Sequence, residues 1–384
     1  MKLIAGMENF VVSARKYRPA SFDTVIGQGH VVQTLKNAIK NRHLAHAFLF
    51  CGPRGVGKTT SARLLAKTIN CTNLTPELEA CNNCDSCNAF NNNASFNIYE
   101  LDAASNNSVD DIRALVEQVR YAPQGATYKI YIIDEVHMLS AQAFNAFLKT
   151  LEEPPPYAKF ILATTEKHKI LPTIISRCQV FDFHRIKIDD AVKQLKQICE
   201  KENITADEDA LHIIAQKADG AMRDALSIFD RIVSFSGNNI KYQDVINNLN
   251  ILDYDYYFKA VNLLLNEDLA GMLLLFDDIL TNGFDSLHFL GGFSEHIRNL
   301  LVCKHPDTVK LLEVSQSVAK KFMEQGAAAS SGLLINALNV LNKCELDYKA
   351  AKNQRLHVEL CLMKLCHLQS YINLQNGNVE LKKK

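Results

Sequence analysis

The sequence predicts an α/β nucleotide-binding module built on a mostly parallel sheet, followed by an all-α region. Three observations predict it. Residues 52–59 read Gly-Pro-Arg-Gly-Val-Gly-Lys-Thr, a phosphate-binding loop set between an apolar run and a helical stretch. Apolar runs alternate with helical patterns between residues 30 and 185. From residue 189 onward strand-like runs vanish and helical periodicity takes over.

The elements follow in order. Strands are expected at 47–51, 97–101, 129–133, 159–164 and 179–183, and helices at 30–41, 58–70, 108–120, 141–151 and 170–176. Glu152-Glu153-Pro154-Pro155-Pro156 ends a helix sharply, because proline removes a donor and clashes with the preceding turn. Ile188 to Lys201, Asp207 to Lys217 and Arg223 to Ser236 read as three helices, with Gly220 at a helix end and 236–239 as a turn. Tyr242 to Leu249 adds a short helix, and 254–375 is helical with breaks near 282–283, 291–292, 305–306 and 326. No fixed-period repeat is present, which argues against a solenoid. The expected domains are 1–185 (nucleotide-binding, with a cysteine knuckle at 71–87), 186–250 (helical lid) and 251–375 (helical), with a basic tail at 376–384.

Each letter of the phosphate loop has a physical task. Gly52, Gly55 and Gly57 let the backbone turn tightly and approach a polyphosphate. Arg54, Val56 and Thr60 complete the cradle, whose amides and following helix N-terminus attract anionic oxygens. Lys58 reaches the β- and γ-phosphates, and the Thr59 hydroxyl holds Mg²⁺. The plain alternative is a chance glycine-rich turn. Downstream, Lys129-Ile130-Tyr131-Ile132-Ile133-Asp134-Glu135 is an apolar run ending in two carboxylates, as a buried parallel strand would deliver them to the carboxyl edge of a sheet. Asp134 suits the Mg²⁺ shell and Glu135 the polarisation of an attacking water. Alone, this run is equally a strand ending in solvated acids; beside the phosphate loop it points to ATP or a related nucleotide as substrate.

Cys71, Cys81, Cys84 and Cys87 form C-x9-C-x2-C-x2-C, the natural tetrahedral cage for a structural Zn²⁺. The residues between them are polar and turn-prone, so metal binding would supply the folding energy of this knuckle. An iron–sulfur cluster or unliganded thiols are the alternatives. Cys51, Cys178, Cys199, Cys303, Cys344, Cys361 and Cys366 sit in apolar or helical patterns and read as core.

Formal net charge is zero, so any nucleic-acid contact must come from local patches. No apolar stretch reaches the roughly 18–20 residues of a membrane span. The N-terminus lacks the pattern of a secretory signal, and with scattered cysteines this suggests a reducing cytoplasm. Met7 is a second candidate start, and Lys382-Lys383-Lys384 closes no domain, leaving a short form or a truncation as readings of that end.

Three further residues gain meaning only beside the loop. Thr165, with Thr164, ends the strand 159–163; it either watches the γ-phosphate or satisfies local backbone. Arg177, in Ser176-Arg177-Cys178, either reaches a neighbouring subunit's γ-phosphate or makes a surface salt bridge. Arg223 opens a helix and either folds back on the same subunit's phosphates or is an ordinary helix charge.

Together these motifs resemble the gamma/tau subunit family of bacterial DNA polymerase III, the ATPase motors of the sliding-clamp loader. The resemblance rests on residues 14–19 (Ala-Arg-Lys-Tyr-Arg-Pro), 25–28 (Val-Ile-Gly-Gln), the phosphate loop, the four cysteines and 102–105 (Asp-Ala-Ala-Ser). It continues through 133–140, 148–155, 163–165, Ser176-Arg177-Cys178 and 223–227. It is close over 14–236; beyond that the chain matches in length and texture only. The resemblance implies an AAA+ module with a helical lid and a C-terminal helical collar. It implies that Lys58, Thr59, Asp134, Glu135, Thr165 and Arg223 serve the subunit's own ATP while Arg177 reaches a neighbour's, and that Tyr17, Arg18, Pro19 and Ile26 line the adenine pocket. As partners it implies further copies of the chain, the delta and delta-prime subunits, the beta sliding clamp and primer–template DNA, in the cytoplasm at the nucleoid and with no membrane. Nothing points to nucleotide polymerisation by this chain.

One departure stands out. Asn106-Asn107-Ser108 follows Asp102-Ala103-Ala104-Ser105 where some relatives carry basic residues, so DNA phosphates there would meet amides, hydroxyls and a helix N-terminus, with a shallower salt dependence. Three rival readings are a non-hydrolysing ring member, which predicts a damaged phosphate loop; a branch-migration type of AAA+ motor, which the knuckle and collar argue against; and a zinc-dependent DNA-binding module, against which the neutral charge speaks.

Overall fold

The computed structural model describes residues 11–370 apart from Asn250, Glu313 and Ser315. Met1, Met7, residues 371–375 of the expected collar and the basic tail 376–384 lie outside the described residues. The chain folds as two compact units, one up to Asn239 and one from Ile240.

The first unit is built on five strands: β1 (Ala47–Cys51), β2 (Ile98–Asp102), β3 (Lys129–Asp134), β4 (Ala158–Thr164) and β5 (Gln179–Asp182). Their order is β2-β3-β4-β1-β5, and every pairing is parallel. Around them run α1 (Ser13–Lys16), α2 (Gly29–Lys40), α3 (Lys58–Ile69), α4 (Asp85–Asn91), α5 (Val109–Val119), α6 (Ala141–Glu152) and α7 (Pro172–Ile175). A second group, α8 (Ile188–Glu202), α9 (Glu208–Lys217) and α10 (Met222–Ser236), forms the helical portion of this unit.

Parallel strands covered on both faces need apolar side chains at consecutive positions, which is why β1, β3 and β4 read as unbroken runs. Alternation then sorts them. Leu49, Tyr131, Ile133, Phe160 and Leu162 face α5 and α6 through Leu115, Val119, Phe147 and Leu151. Phe48, Phe50, Ile130, Ile132 and Ile161 face α2 and α3 through Leu35, Ile39, Leu64 and Leu65. Phe160 is fully buried and stacks on Tyr131 with ring centroids 5.6 Å apart; truncating such a ring to alanine costs about 3–5 kcal/mol.

The topology places the site. The sequence leaves β1 for the far edge at β2, returns through β3 and β4 to lie beside β1, and ends on the other side at β5. Ligands of open α/β sheets bind at the carboxyl ends of strands around such a switch. The tips of β1, β3 and β4 therefore converge, and they carry Gly52, Asp134 and Thr165.

The second unit begins with α11 (Tyr242–Leu249); α12 (Tyr254–Leu265), α13 (Leu269–Thr281), α14 (Ser286–Val302), α15 (Gln316–Ala328), α16 (Ser331–Asp347) and α17 (Gln354–Cys366) then close around Tyr257, Phe276, Phe289, Phe293 and Phe322. Asp268, Asp285, Ser330 and Asn353 cap four of these helices by accepting from backbone amides of the first turn. Breaks do fall at 282–283 and 305–306, but those expected at 291–292 and 326 do not exist: both lie inside α14 and α15. Glycine is there for packing. A Cβ on Gly292 would lie 2.0 Å from Tyr257 Oη, and one on Gly326 would lie 3.2 Å from the Leu300 carbonyl oxygen. The helix propensity lost, about 1 kcal/mol each, is offset by that close approach.

Candidate active site

The phosphate loop leaves β1 through Gly52, whose φ of +148° and whose position exclude a side chain: a Cβ would lie 2.4 Å from the Phe183 carbonyl oxygen. Its amide donates to Thr164 O at 3.2 Å, tying the loop to β4. Gly57 then caps α3. Lys58, only 6% exposed, donates from Nζ to the Gly52 and Pro53 carbonyls at 2.8 and 2.7 Å. Burial lowers its pKa below the ordinary lysine value, while the carboxylates of Glu135 and Asp134 oppose that shift.

The next residue joins the loop to β3. Thr59 Oγ1 donates to Asp134 Oδ2 at 2.6 Å, and the Glu135 amide donates to Asp134 Oδ1 at 3.0 Å. A hydroxyl and a carboxylate side by side at a strand tip are the oxygen donors a Mg²⁺ ion takes from protein. Glu135 sits in the left-handed region at φ +48°, a conformation costing on the order of 1–3 kcal/mol. Its Oε2 accepts from the Thr165 amide at 3.2 Å and from Thr165 Oγ1 at 2.9 Å.

A cavity of about 540 Å³ opens above this tip. Tyr17, Arg18, Pro19, Ile26, Arg54, Gly55, Val56, Gly57, Lys58, Thr59, Thr60, Asp134, Glu135 and Arg223 all line it. Gly52 and Thr165 instead line a separate hollow behind the loop, with Lys167 and His168. Arg177 lines neither: it donates to Glu152 Oε1 at 2.7 Å and to Thr173 O at 2.6 Å. The cavity walls also include Arg15 and Leu226, from the segments 14–19 and 223–227, and Val12, Ile186, Gln194 and Met222, which the sequence does not single out because they come from distant segments with no shared motif.

The cavity is cationic. Arg18 has its pKa lowered first by burial and then by the guanidinium of Arg63, with Arg223 and Arg15 adding to it. Crowded cations in a half-closed cleft attract a polyanion. Tyr17 Oη donates to Glu202, whose own pKa is lowered by Lys16 and Tyr17; this anchors α1 against α8 beside the cavity.

The four cysteine sulfurs of the knuckle lie within 4.8 Å of one another. The edge of a tetrahedral cage with metal–sulfur bonds of about 2.3 Å is about 3.8 Å, so the cluster fits a metal ion. Amides of Asn83 and Cys84 donate to Cys81 Sγ at 3.4 Å each, as they would to a thiolate. Lys67 of α3 donates to Asn91 Oδ1 at 2.8 Å and to Asn82, fastening the knuckle to the phosphate-loop helix.

Beyond β2, Ser108 caps α5 in a reciprocal box with Asp111. Its hydroxyl and amide are thus already engaged, and Asp110 and Asp111 place negative charge in the first turn of that helix. Among the described residues no helix is long and apolar enough to cross a membrane.

His137, within the segment 133–140, and Glu166 have no role assigned by the sequence motifs, yet both stand at this strand tip. His137 Nδ1 lies 3.0 Å from Thr164 Oγ1, and Nε2 lies 3.3 Å from Glu166 Oε1. Histidine two positions after the second strand-tip acid is a local signal; its partners 27 and 29 residues on are visible only once β3 and β4 pair.

Residues 27–187 match the family model described as DNA polymerase III, delta subunit; residues 190–238 match the ATPase lid domain of the DNA polymerase III clamp loader subunit; and residues 241–377 match DNA polymerase III subunits gamma and tau domain III. The chain is 40% identical to the tau subunit of DNA polymerase III from Bacillus subtilis over 96% of its own length and 66% of that protein's. It is 35% identical to the gamma subunit from Buchnera aphidicola of Baizongia pistaciae, over 94% of its own length and 98% of that protein's. A solved structure of the Thermotoga maritima RuvB branch migration motor aligns with 65% of the chain and 79% of its own, at 20% identity and a TM-score of 0.46, too loose a likeness to bear on function.

Proposed function

The chain belongs to the gamma/tau subunit family of DNA polymerase III, and on that premise we propose that it is the ATPase motor of a clamp loader, with ATP held in the cavity over β1 and β3. The observation that carries this reading is the junction of Lys58, Thr59 and Asp134, which brings an ammonium, a hydroxyl and a carboxylate to one strand tip.

In this reading Lys58 leaves the Gly52 and Pro53 carbonyls for the β- and γ-phosphates. Thr59 and Asp134 hold Mg²⁺, which neutralises charge on the phosphate oxygens. Glu135 orients the attacking water, with Thr165 holding its carboxylate. Arg223 serves the same nucleotide; Tyr17, Arg18, Pro19 and Ile26 enclose the base. Arg177 exchanges its Glu152 partner for the γ-phosphate of a neighbouring copy. Cys71, Cys81, Cys84 and Cys87 hold a structural Zn²⁺. The divisions at 185 and 250 separate the nucleotide-binding, lid and collar domains.

The partners that follow are further copies of the chain, the delta and delta-prime subunits, the beta clamp and primer–template DNA, in the cytoplasm at the nucleoid. ATP binding opens and loads the clamp, and hydrolysis releases it. An intact phosphate loop favours this motor over a purely structural ring member. Lys58→Ala tests it: nucleotide binding, DNA-stimulated hydrolysis and clamp loading should all be lost, and a fully active variant would overturn the reading.

A further inference from the structure

One buried group beside the strand tip has no task in the scheme above. His137 lies in the 3-10 turn Val136–Met138 that follows Glu135, and its side chain is 6% exposed. Glu166 donates its amide to Thr164 Oγ1 at 3.0 Å, and its carboxylate approaches His137 Nε2 at 3.3 Å. On its other side Nδ1 lies 3.4 Å from Glu135 Oε2, so the imidazole stands between two carboxylates. Nδ1 also shares a hydrogen bond with the Thr164 hydroxyl at 3.0 Å. These contacts close a ring: Glu166 amide to Thr164 hydroxyl, Thr164 hydroxyl to imidazole, imidazole to Glu166 carboxylate. Lys169 fixes the outer end by pairing with Glu166 at 2.9 Å.

Thr165 sits between the two backbone members of that ring, and its amide and hydroxyl are the donors that hold Glu135. We propose that His137 is a positioning residue for ATP hydrolysis: it locks the segment Thr164-Thr165-Glu166 against the turn that carries Glu135, and so sets where the Glu135 carboxylate points. This rests on the hydrolysis reading. Glu135 holds a strained left-handed backbone, so its carboxylate keeps one orientation only if its surroundings determine it. A misplacement of about 1 Å at such a group costs on the order of 100-fold in rate.

The test is single-turnover ATP hydrolysis by the full chain in its assembled complex, with nucleotide affinity measured on the same material. His137→Phe fills the volume without polar atoms; it should lower the hydrolysis rate by about 30- to 100-fold while changing the nucleotide Kd less than about twofold. His137→Gln, which keeps one acceptor and one donor, should recover most of the rate. Thr164→Val should reproduce the loss, and the double variant His137→Phe/Thr164→Val should be no slower than either single change. A wild-type rate in His137→Phe, or losses that multiply in the double variant, would overturn the proposal. If His137→Phe does not fold, Thr164→Val against Thr164→Ser carries the same comparison, and equal rates in that pair count against it. A wild-type chain that, assembled with its partners and DNA, binds nucleotide without ever hydrolysing it removes the hydrolysis reading itself, an outcome separate from an unchanged variant.

Discussion

Thr59 Oγ1 and Asp134 Oδ2 stand 2.6 Å apart, so the first turn of α3 is latched to the tip of β3 by one hydrogen bond. The same two oxygens are the proposed Mg²⁺ donors, so the latch also spaces them for the ion. Thr59→Val removes the hydroxyl and keeps the shape. A bond to a charged acceptor contributes about 1.5–3 kcal/mol. The Mg²⁺ concentration for half-maximal hydrolysis should rise by about ten- to a hundredfold. A Mg²⁺ titration of ATPase activity checks this; an unchanged midpoint would remove Thr59 from the metal shell.

Arg177 and Glu152 pair at 2.7 Å on the rim, with side chains 33% and 49% exposed. Exposed pairs contribute roughly 0–1 kcal/mol, so Arg177→Ala should barely move the melting temperature. If the guanidinium serves a neighbour's nucleotide, the same change lowers hydrolysis in the assembled complex by about a thousandfold or more, with nucleotide affinity of the isolated chain intact. Loss of neither stability nor turnover would leave Arg177 as a rim charge.

Lys58 offers a pH signature. Its pKa is lowered by burial in the nucleotide-free chain. Phosphate oxygens favour the ammonium and raise that pKa again on binding. Between the two values the free lysine is neutral and the bound one charged, so binding takes up a proton and affinity falls as pH rises through the lowered value, below the ordinary 10.5. Calorimetry in two buffers of different ionisation enthalpy measures the uptake. Lys58→Met should abolish it, and no uptake in the wild-type chain at any alkaline pH would contradict the assignment.

What could be read from the sequence was what is local in it. The loop 52–59, the acids at 134–135 and the alternation of strands and helices each lie within one short segment, where period and residue type report structure directly. The ring joining His137 to Thr164 and Glu166 was hidden because its members meet only through the pairing of β3 with β4. The Arg177–Glu152 pair joins two helix ends in the same way. Gly292 and Gly326 were misread as breaks because glycine's low helix propensity is a local property, whereas room for Tyr257 and for the Leu300 carbonyl is a tertiary one.

Metal removal should act first on the knuckle. Its cysteines surround little apolar core, and of them only Cys87 is buried. Chelation, or Cys81→Ser with Cys84→Ser, should free residues 72–86 to protease while the sheet stays folded. Because Lys67 fastens α3 to Asn82 and Asn91, the melting temperature should also drop by several degrees, on the order of 1–2 kcal/mol for two lost bonds. Metal analysis and limited proteolysis read both effects. Equal protection with and without metal would show that the cysteines need no ion to hold the knuckle.

Gly52 and Gly29 separate a glycine that the fold requires from one that it tolerates. At Gly52 a methyl group would meet the Phe183 carbonyl oxygen at 2.4 Å and its Cβ at 2.9 Å, on a backbone at φ +148°. Neither neighbour can yield, since the Phe183 amide is held by Cys51 O at 2.7 Å and its ring is buried. Gly52→Ala should therefore cost on the order of 3 kcal/mol and displace the carbonyl that receives Lys58, so nucleotide affinity falls together with stability. Gly29 begins α2 with nothing within 4 Å of a Cβ and ordinary backbone. Gly29→Ala should stabilise by about 0.5–1 kcal/mol through the unfolded chain and leave nucleotide binding untouched. Denaturant unfolding and nucleotide titration of the two variants side by side decide the matter: if Gly52→Ala matches wild type in both, the phosphate loop does not pass where this backbone puts it.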